Sequence, residues 1–389
     1  MYFSETDGGR HIWQEEQESG TNKMAVKRQA NFELMRIAAM LMIISLHYLV
    51  KGGAAVSFPF SAKENPVGVL AWLIEAFCIV AVNCYVLLSG YFLKEAGWKP
   101  GRVWSLLCQV LFYSLLIPVF LLMTGVVPAG ALGVYDWLGF AFPFGTEHYW
   151  FATAYLVMYL FAPFLTAGLD KMKKKDLQIL LAVLLAFFSL EKTILPLRLA
   201  TDRYGYDFGW FLCLLVLAGY IRIYGISWLE KQSHAVGAYA LSCLLIWLLA
   251  LCSNTMGANM EAFVYYADMP YTYNHLLCLA GAVSLFYVFK NLRVKEGWFA
   301  QAVRRFAPYT FGVYLLHEHI LVRCEWMKWL GADKVTGRFL FVPHMIGCVL
   351  LVYAAGTAVD AIRAWIFKKV RIGRNDSEGL SGTGCSGYD

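Results

Sequence analysis

The sequence predicts an all-α membrane protein with about ten transmembrane helices around a polar cavity or tunnel. Hydrophobic residues make up 59% of the 389-residue chain and charged residues only 15%, and the mean hydropathy is +0.53. Apolar blocks alternate along the chain with short charged loops. Soluble domains are far less apolar, and no Pro/Gly/Ser-rich linker divides this chain into two parts.

Each apolar block can cross the hydrocarbon core of a bilayer, which takes about 20 helical residues. The fifth block is the least regular, because Glu191 and Pro196 interrupt it. The predicted spans lie in the windows 31–50, 68–93, 103–125, 149–168, 177–196, 208–224, 235–253, 273–290, 308–329 and 343–367.

These spans form one predicted transmembrane domain over residues 28–370. Residues 1–27 are polar and lack the apolar core of a secretory signal, so we expect a disordered tail. Residues 371–389 are polar and rich in Gly and Ser, which predicts a second flexible tail.

Lysine and arginine are concentrated in the loops on one side of these spans. KMKKK at 171–175 is the densest run, and the loops of the opposite side carry far fewer basic residues. Because positively charged loops stay in the cytoplasm, both termini are predicted to be cytoplasmic. Topology and anionic lipid headgroups account for the basic runs, so no nucleic-acid partner is expected.

Ten cysteines are present, and most lie inside apolar blocks. No CxxC pair occurs, and the spacing matches neither a zinc site nor a disulfide framework. Cysteine in such positions is typical of a small buried hydrophobe. No metal site is therefore expected.

The first span contains two ionisable side chains, which are energetically unfavourable inside a bilayer. They are Arg36 and His47, the first and last residues of the segment RIAAMLMIISLH. Eleven residues come to about three helical turns, so Arg36 and His47 share one face about 16 Å apart along the axis. Glu33 precedes Arg36 by three residues and joins the same stripe. A charged group in a span costs at least about 2.5 kcal/mol unless it faces protein or water.

Two interpretations of this stripe are open. Glu33 and Arg36 can form a helix-end salt bridge while His47 lies at the membrane interface. Polar residues on other spans favour a shared internal site instead, because isolated salt bridges would not need them. These residues are Glu75, Asn83 and Ser89 in the second span, Glu147 and His148 at the start of the fourth, and His317, Glu318 and His319 in the ninth.

The separation of Arg36 and His47 suits a long substrate with an anionic head and a distant reactive tip. A guanidinium binds phosphate, and a histidine can act as general base for a hydroxyl or amine that attacks a carbonyl. An acyl-coenzyme A has this form. The predicted transmembrane domain, residues 28–370, contains no GxxxxGK[ST], GxGxxG or GxSxG motif that would indicate another nucleotide or hydrolase site.

Four segments resemble the acyltransferase-3 family of integral membrane acyltransferases. RQANFELMRIAAMLMIISLH is similar to the first-span signature of that family, in which R-x10-H follows an acidic residue. CYVLLSGYFL, HYWFATAYLVMYLFAPFL and YTFGVYLLHEHI resemble family segments in the second, fourth and ninth spans. The resemblance covers about residues 28–368.

The resemblance implies transfer of an acyl group, with acetyl as the expected one, from cytoplasmic acyl-CoA to a hydroxyl or amine of a cell-envelope glycan or related acceptor. The enzyme would lie in a bacterial-type cytoplasmic membrane, with acyl-CoA as co-substrate and no bound cofactor. His47 is the predicted general base, with Arg36 as its partner and Glu33 beside it. The predicted substrate-binding residues are Asn83, Ser89, His148, Trp150, Tyr155, His317 and Glu318.

This sequence departs from many relatives at Asn83-Cys84-Tyr85, where aromatic residues usually precede the Ser-Gly pair. This difference is expected to change the shape of the site near the acceptor.

Two other classes stay open. Ionisable residues within spans also mark the pathways of transporters, so a transporter or exporter of an envelope precursor is the alternative. Such proteins have interrupted helices and inverted repeats, and no repeat between the two halves of this chain is evident. A receptor-like or scaffold subunit that has lost the chemistry is the third possibility.

Overall fold

A computed structural model describes residues 28–96, 99–146, 148–197, 203–257, 260–335 and 338–381. These residues form helices and connecting turns, and no β-strand occurs among them. The predicted all-α polytopic class is therefore confirmed. The predicted tail at residues 1–27 lies outside the described residues, and the last helix continues past the predicted domain boundary at residue 370.

Sixteen α-helices are found in the described part of the chain. They are α1 (Ala30–Lys51), α2 (Pro66–Cys78), α3 (Ala81–Ala96), α4 (Pro100–Met123), α5 (Val134–Ala141), α6 (Trp150–Leu169), α7 (Lys174–Leu185), α8 (Glu191–Ile194), α9 (Phe208–Tyr224), α10 (Gln232–Gly257), α11 (Glu261–Asp268), α12 (Leu276–Lys290), α13 (Trp298–Phe306), α14 (Thr310–His317), α15 (Trp326–Trp329) and α16 (Arg338–Ser381).

Eight helical segments of the described residues are long and apolar enough to cross a membrane. Two of the ten predicted spans are shorter. The window 208–224 forms α9, a single apolar helix of 17 residues. The window 308–329 breaks after His317, where Glu318 leaves helical geometry and the chain continues in turns to α15.

Helix α1 is the centre of the bundle. It packs against α2, α3, α12, α13, α14 and α16, and most of its side chains are buried. Helices α4, α7 and α10 instead expose large apolar side chains, as a lipid-facing surface requires. The face of α1 that carries Arg36 and His47 therefore points toward the interior of the helix bundle.

The second span is interrupted, because α2 ends at Cys78 and α3 begins at Ala81. Asn83 lies in the first turn of α3 and is fully buried. Its side-chain amide donates to the Tyr273 carbonyl at 2.7 Å, and its Oδ1 accepts from Trp210 Nε1 at 3.0 Å. Asn83 therefore anchors the Tyr273 segment and α9, and does not itself line the cavity described below.

A buried carboxylate joins three helices at some distance from His47. Asp360 on α16 accepts from Tyr113 at 2.9 Å and Gln109 at 3.1 Å, both on α4, and from Arg363 Nε at 2.6 Å. Gly312 on α14 lies directly against this carboxylate, and a Cβ added there would collide with it. Asp360 therefore fixes how α4 and α14 pack on α16.

We predict that Asp360→Ala destabilises the bundle. The substitution leaves the Arg363 guanidinium, only 11% exposed, without its partner, and removing one partner of a buried ion pair costs about 3–5 kcal/mol. Denaturant unfolding of the purified protein in detergent measures this change. Glu230→Ala, which breaks the more exposed Lys290 pair, is the control, with an expected loss of at most about 1 kcal/mol. Equal losses for the two variants would contradict the prediction.

Candidate active site

His47, His317 and Glu318 meet at the C-terminal end of α1. His47 Nδ1 lies 3.0 Å from Glu318 Oε2 and 3.1 Å from His317 Nε2. His317 is the last residue of α14, and Glu318 follows in non-helical geometry. In a continued helix these two side chains would diverge by about 100°. The break after His317 therefore allows both of them to reach His47.

The hydrogen bonds assign the tautomers of both histidines. His317 Nδ1 lies 2.6 Å from the Val313 carbonyl, which can only accept, so His317 carries its proton on Nδ1. His317 Nε2 is then an acceptor, as is the Glu318 carboxylate. Both face His47 Nδ1, which must therefore be the protonated nitrogen. Nε2 of His47 keeps the lone pair that a general base needs.

Lys51 was not singled out in the sequence, and it completes this cluster. Its Nζ lies 2.5 Å from Glu318 Oε1 and 2.6 Å from Oε2, one helical turn beyond His47. The ammonium group balances the carboxylate, which is 5% exposed. The i, i+4 spacing of residues 47 and 51 could have placed Lys51 on the same helix face as His47. Nothing in the sequence pairs either residue with Glu318.

The nitrogen and oxygen atoms of His47, His317 and Glu318 lie within 4.8 Å of one another, a spacing that could also hold a metal ion. The chemistry of the donor set opposes this. Lys51 already occupies both oxygens of Glu318, and a divalent cation would have to displace a positive charge from them.

His47 also lines a cavity between α1, α3, α6 and α14. Met40 and Ile43 continue the α1 face from His47 toward Arg36. The other walls are mostly apolar and aromatic, and consist of Val82, Tyr85, Trp150, Phe151, Tyr273, Phe311 and Tyr314. The cavity beside His47 is therefore mainly apolar. Polar side chains lie near its two ends, at His47 and toward Arg36.

Arg36 lies beyond the far end of this cavity. It pairs with buried Glu33, which Arg28 also approaches at 3.9 Å. Tyr85 donates its hydroxyl to the Arg36 carbonyl at 2.7 Å, so its ring lies between the cavity and the arginine. The Arg36 side chain is 29% exposed. Pairing with Arg36 is the role that this geometry gives to Glu33.

Ser89 and Tyr155 lie on the Arg36 side of the cavity. The Tyr155 phenol has Ser89 and Arg36 among its polar neighbours, and Arg102 at the start of α4 is a further cation in this region. Phe151, one turn before Tyr155, stacks on it with ring centroids 6.0 Å apart. The predicted residues of α3 and α6 therefore converge on the α1 face from the other side.

Trp150 belongs to an aromatic cluster at the His47 end of the cavity. Its ring lies 4.5 Å from Tyr206 and stacks on Tyr273 at 5.7 Å. Tyr206 is 45% exposed, so the cluster reaches the surface. Aromatic faces in such a position can hold the apolar face of a substrate.

His148 is brought near His319 and not into the cavity wall. Their ring centroids are 5.3 Å apart, both side chains are buried, and Phe140 packs on both. Burial and the nearby Arg323 guanidinium lower the pKa of His148 to about 4, so this histidine is neutral at pH 7. His319, which the sequence could not distinguish from His317, faces away from His47.

The described residues thus form an all-α bundle with helices long enough to cross a membrane, and it encloses a histidine–glutamate pair beside an apolar cavity, an arrangement suited to general-base catalysis within a membrane. The profile of the acyltransferase-3 family, described as "Acyltransferase domain", matches residues 29–359. The chain therefore belongs to this family, as the sequence predicts. No curated protein and no solved structure matches the chain.

We predict that Glu318→Gln lowers acyl-transfer activity by about 10²–10⁴-fold, because an amide can present its NH2 group to His47 Nδ1 and favour the wrong tautomer. Initial rates of the purified enzyme in lipid measure this. Glu325→Gln is the matched control, since Glu325 lies seven residues on, is exposed, and pairs with Lys328. Activity in Glu318→Gln that equals the control would show that the carboxylate does not orient His47.

We also predict that activity is independent of divalent metal, because Lys51 provides the positive charge at Glu318. Dialysis against a strong chelator should leave the rate unchanged, and added Zn²⁺ should not increase it. Loss of activity on chelation that Zn²⁺ restores would identify the His47, His317 and Glu318 group as a metal site.

Proposed function

We propose that this protein transfers an acyl group, acetyl in the first instance, from acyl-CoA to a hydroxyl or amine of a cell-envelope glycan or related acceptor. The observation that carries the proposal is the position of His47 Nδ1, 3.0 Å from Glu318 Oε2 and 3.1 Å from His317 Nε2, in a histidine that lines the cavity. With the proton on Nδ1, Nε2 is left as the base. The same face of α1 leads through Met40 and Ile43 to Arg36.

The donor would enter from the Arg36 end. Arg36 is partly exposed, and Arg102 lies in the same region, so phosphate groups of CoA would meet positive charge there. The pantetheine arm would then follow Met40 and Ile43 past Tyr85, and the thioester would reach His47. The axial distance of about 16 Å between Arg36 and His47 suits this extended substrate.

In the chemical step, His47 Nε2 takes the proton of the acceptor hydroxyl as its oxygen attacks the thioester carbon. The imidazolium that forms is stabilised by the Glu318 carboxylate at 3.0 Å. The tetrahedral intermediate then expels CoA thiolate, which takes the proton from His47. The base returns to its first state, and an acyl ester and CoA thiol are released.

The acceptor would approach from the His47 end, where Trp150, Tyr206 and Tyr273 form an aromatic surface. With both termini in the cytoplasm, as the basic loops predict, this end faces outward. The enzyme would then lie in the cytoplasmic membrane and carry an acyl group from an inner donor to an outer acceptor. A transporter with the same polar groups is the alternative, and the interrupted helices suit either class.

Labelled acetyl-CoA supplied to the cytoplasmic face of membrane vesicles tests the proposal. Wild type should move label into an envelope fraction, and His47→Gln should lower kcat/KM by about 10²–10⁴-fold because the base is lost. Arg36→Gln should raise the KM for acetyl-CoA by about 10–100-fold, because a charge-assisted contact is lost. The matched controls are His234→Gln, which changes a half-buried residue, and Arg305→Gln, which changes an exposed one, and neither residue lines the cavity.

Label that stays in acetyl-CoA with wild type, across several acyl-CoAs and native envelope extracts, would contradict acyl transfer. Movement of an unmodified envelope precursor across the same vesicles would then favour the transporter.

A further inference from the structure

Tyr314 lies on α14 one turn before His317, and its side chain forms part of the wall of the cavity that His47 lines. The residue is 5% exposed. Its ring contacts Phe151, with centroids 5.6 Å apart, and lies edge-on to His317 at 6.3 Å. The phenol is therefore held by packing next to the histidine pair.

The Tyr314 hydroxyl is buried and has no hydrogen-bond partner among the described residues. Buried polar groups are nearly always paired, so such a group calls for an explanation. The Phe151 N–H belongs to the first turn of α6, where backbone N–H groups have no acceptor within the helix. It lies beside the phenol oxygen but outside hydrogen-bond geometry. The proton of the phenol is left for another acceptor.

The other phenols of the cavity wall are already engaged. Tyr85 donates to the Arg36 carbonyl at 2.7 Å, and Tyr273 interacts with the hydroxyl of Tyr206. The aliphatic residues of the wall have no donor. Within the described wall, Tyr314 is thus the phenol whose hydroxyl remains available to a ligand beside His47.

Attack on a thioester moves the carbonyl π electrons onto oxygen, and the reaction is accelerated by a donor already in place for that charge. We infer that Tyr314 is the catalytic residue that donates its O–H to the thioester oxygen. The inference rests on the proposed acyl transfer. His47 takes the acceptor proton while Tyr314 hydrogen-bonds the oxyanion, and collapse re-forms the C=O bond, expels the thiolate and releases the phenol.

Tyr314→Phe tests this by removing one oxygen atom from a packed ring. We expect kcat to fall about 10²–10³-fold, the usual cost of losing one oxyanion donor, with the KM for acetyl-CoA changed by no more than about twofold. Thermal stability should be unchanged or higher, since an unpaired buried hydroxyl is lost.

Tyr159→Phe is the matched control. Tyr159 on α6 is also 5% exposed and has an unpaired buried hydroxyl, but it does not line the cavity. If unpaired phenols in this protein are only a packing defect, both variants will keep full activity. Such a result for Tyr314→Phe would overturn the inference.

A second measurement does not depend on turnover. Dethia acetyl-CoA, in which a methylene replaces the thioester sulphur, can be bound to the whole protein with a ¹³C label in its carbonyl. A hydrogen bond from Tyr314 should lower the infrared C=O frequency in wild type and in Tyr159→Phe, and the shift should disappear in Tyr314→Phe. An identical frequency in all three proteins would overturn the inference.

The two levels of the proposal can fail separately. Wild type that transfers acetyl, His47→Gln that does not, and Tyr314→Phe that still does would leave the proposed function intact and remove only the role of Tyr314. Wild type that transfers no acyl group would remove both.

Discussion

The rest of the site depends on the contact of one buried carboxylate, Glu318, with helix α1. Glu318 accepts the Lys51 ammonium and lies 3.0 Å from His47, so both ends of the contact are on α1. An uncompensated charge at this depth would cost several kcal/mol, and the fold compensates the carboxylate by placing Lys51 and His47 against it. Helix α14 ends at His317, and this end lets both His317 and Glu318 reach His47. A regular helix could not direct residues 317 and 318 to the same neighbour.

The broken helices have a common physical basis. Inside a bilayer, backbone polar groups tolerate an interruption only where protein or an enclosed cavity surrounds them. The interruption between α2 and α3 lies next to Asn83, whose amide and carbonyl groups bind the Tyr273 segment and Trp210. The interruption after His317 lies against α1. Both are next to elements that build the cavity, and neither is on the lipid-facing surface formed by α4, α7 and α10.

The apolar character of the cavity is as important as the polar groups near its ends. Its walls are aliphatic and aromatic over the stretch between Arg36 and His47. A thioester that is exposed to water can be hydrolysed, so a transferase benefits from a space in which the acceptor is the available nucleophile. In the proposed reaction, a low dielectric would also strengthen the interaction of Glu318 with the imidazolium on His47. In the proposed reaction, Arg36 and Glu318 would act from opposite ends of the cavity without pairing with each other.

The sequence by itself determined the fold class and the two ends of the site. Span length and composition predict the polytopic helical bundle, and the eleven-residue spacing puts Arg36 and His47 on one face, because both are local properties of a helix. The tertiary structure decided which of His317, Glu318 and His319 meet His47, and it added Lys51 and Tyr314. It placed two of the predicted substrate-binding residues beside the cavity lining, with Asn83 bonded to the Tyr273 carbonyl and Trp210, and His148 next to His319. These features depend on contacts between residues up to 271 positions apart and on the exact place where α14 ends, and no local pattern encodes either of them.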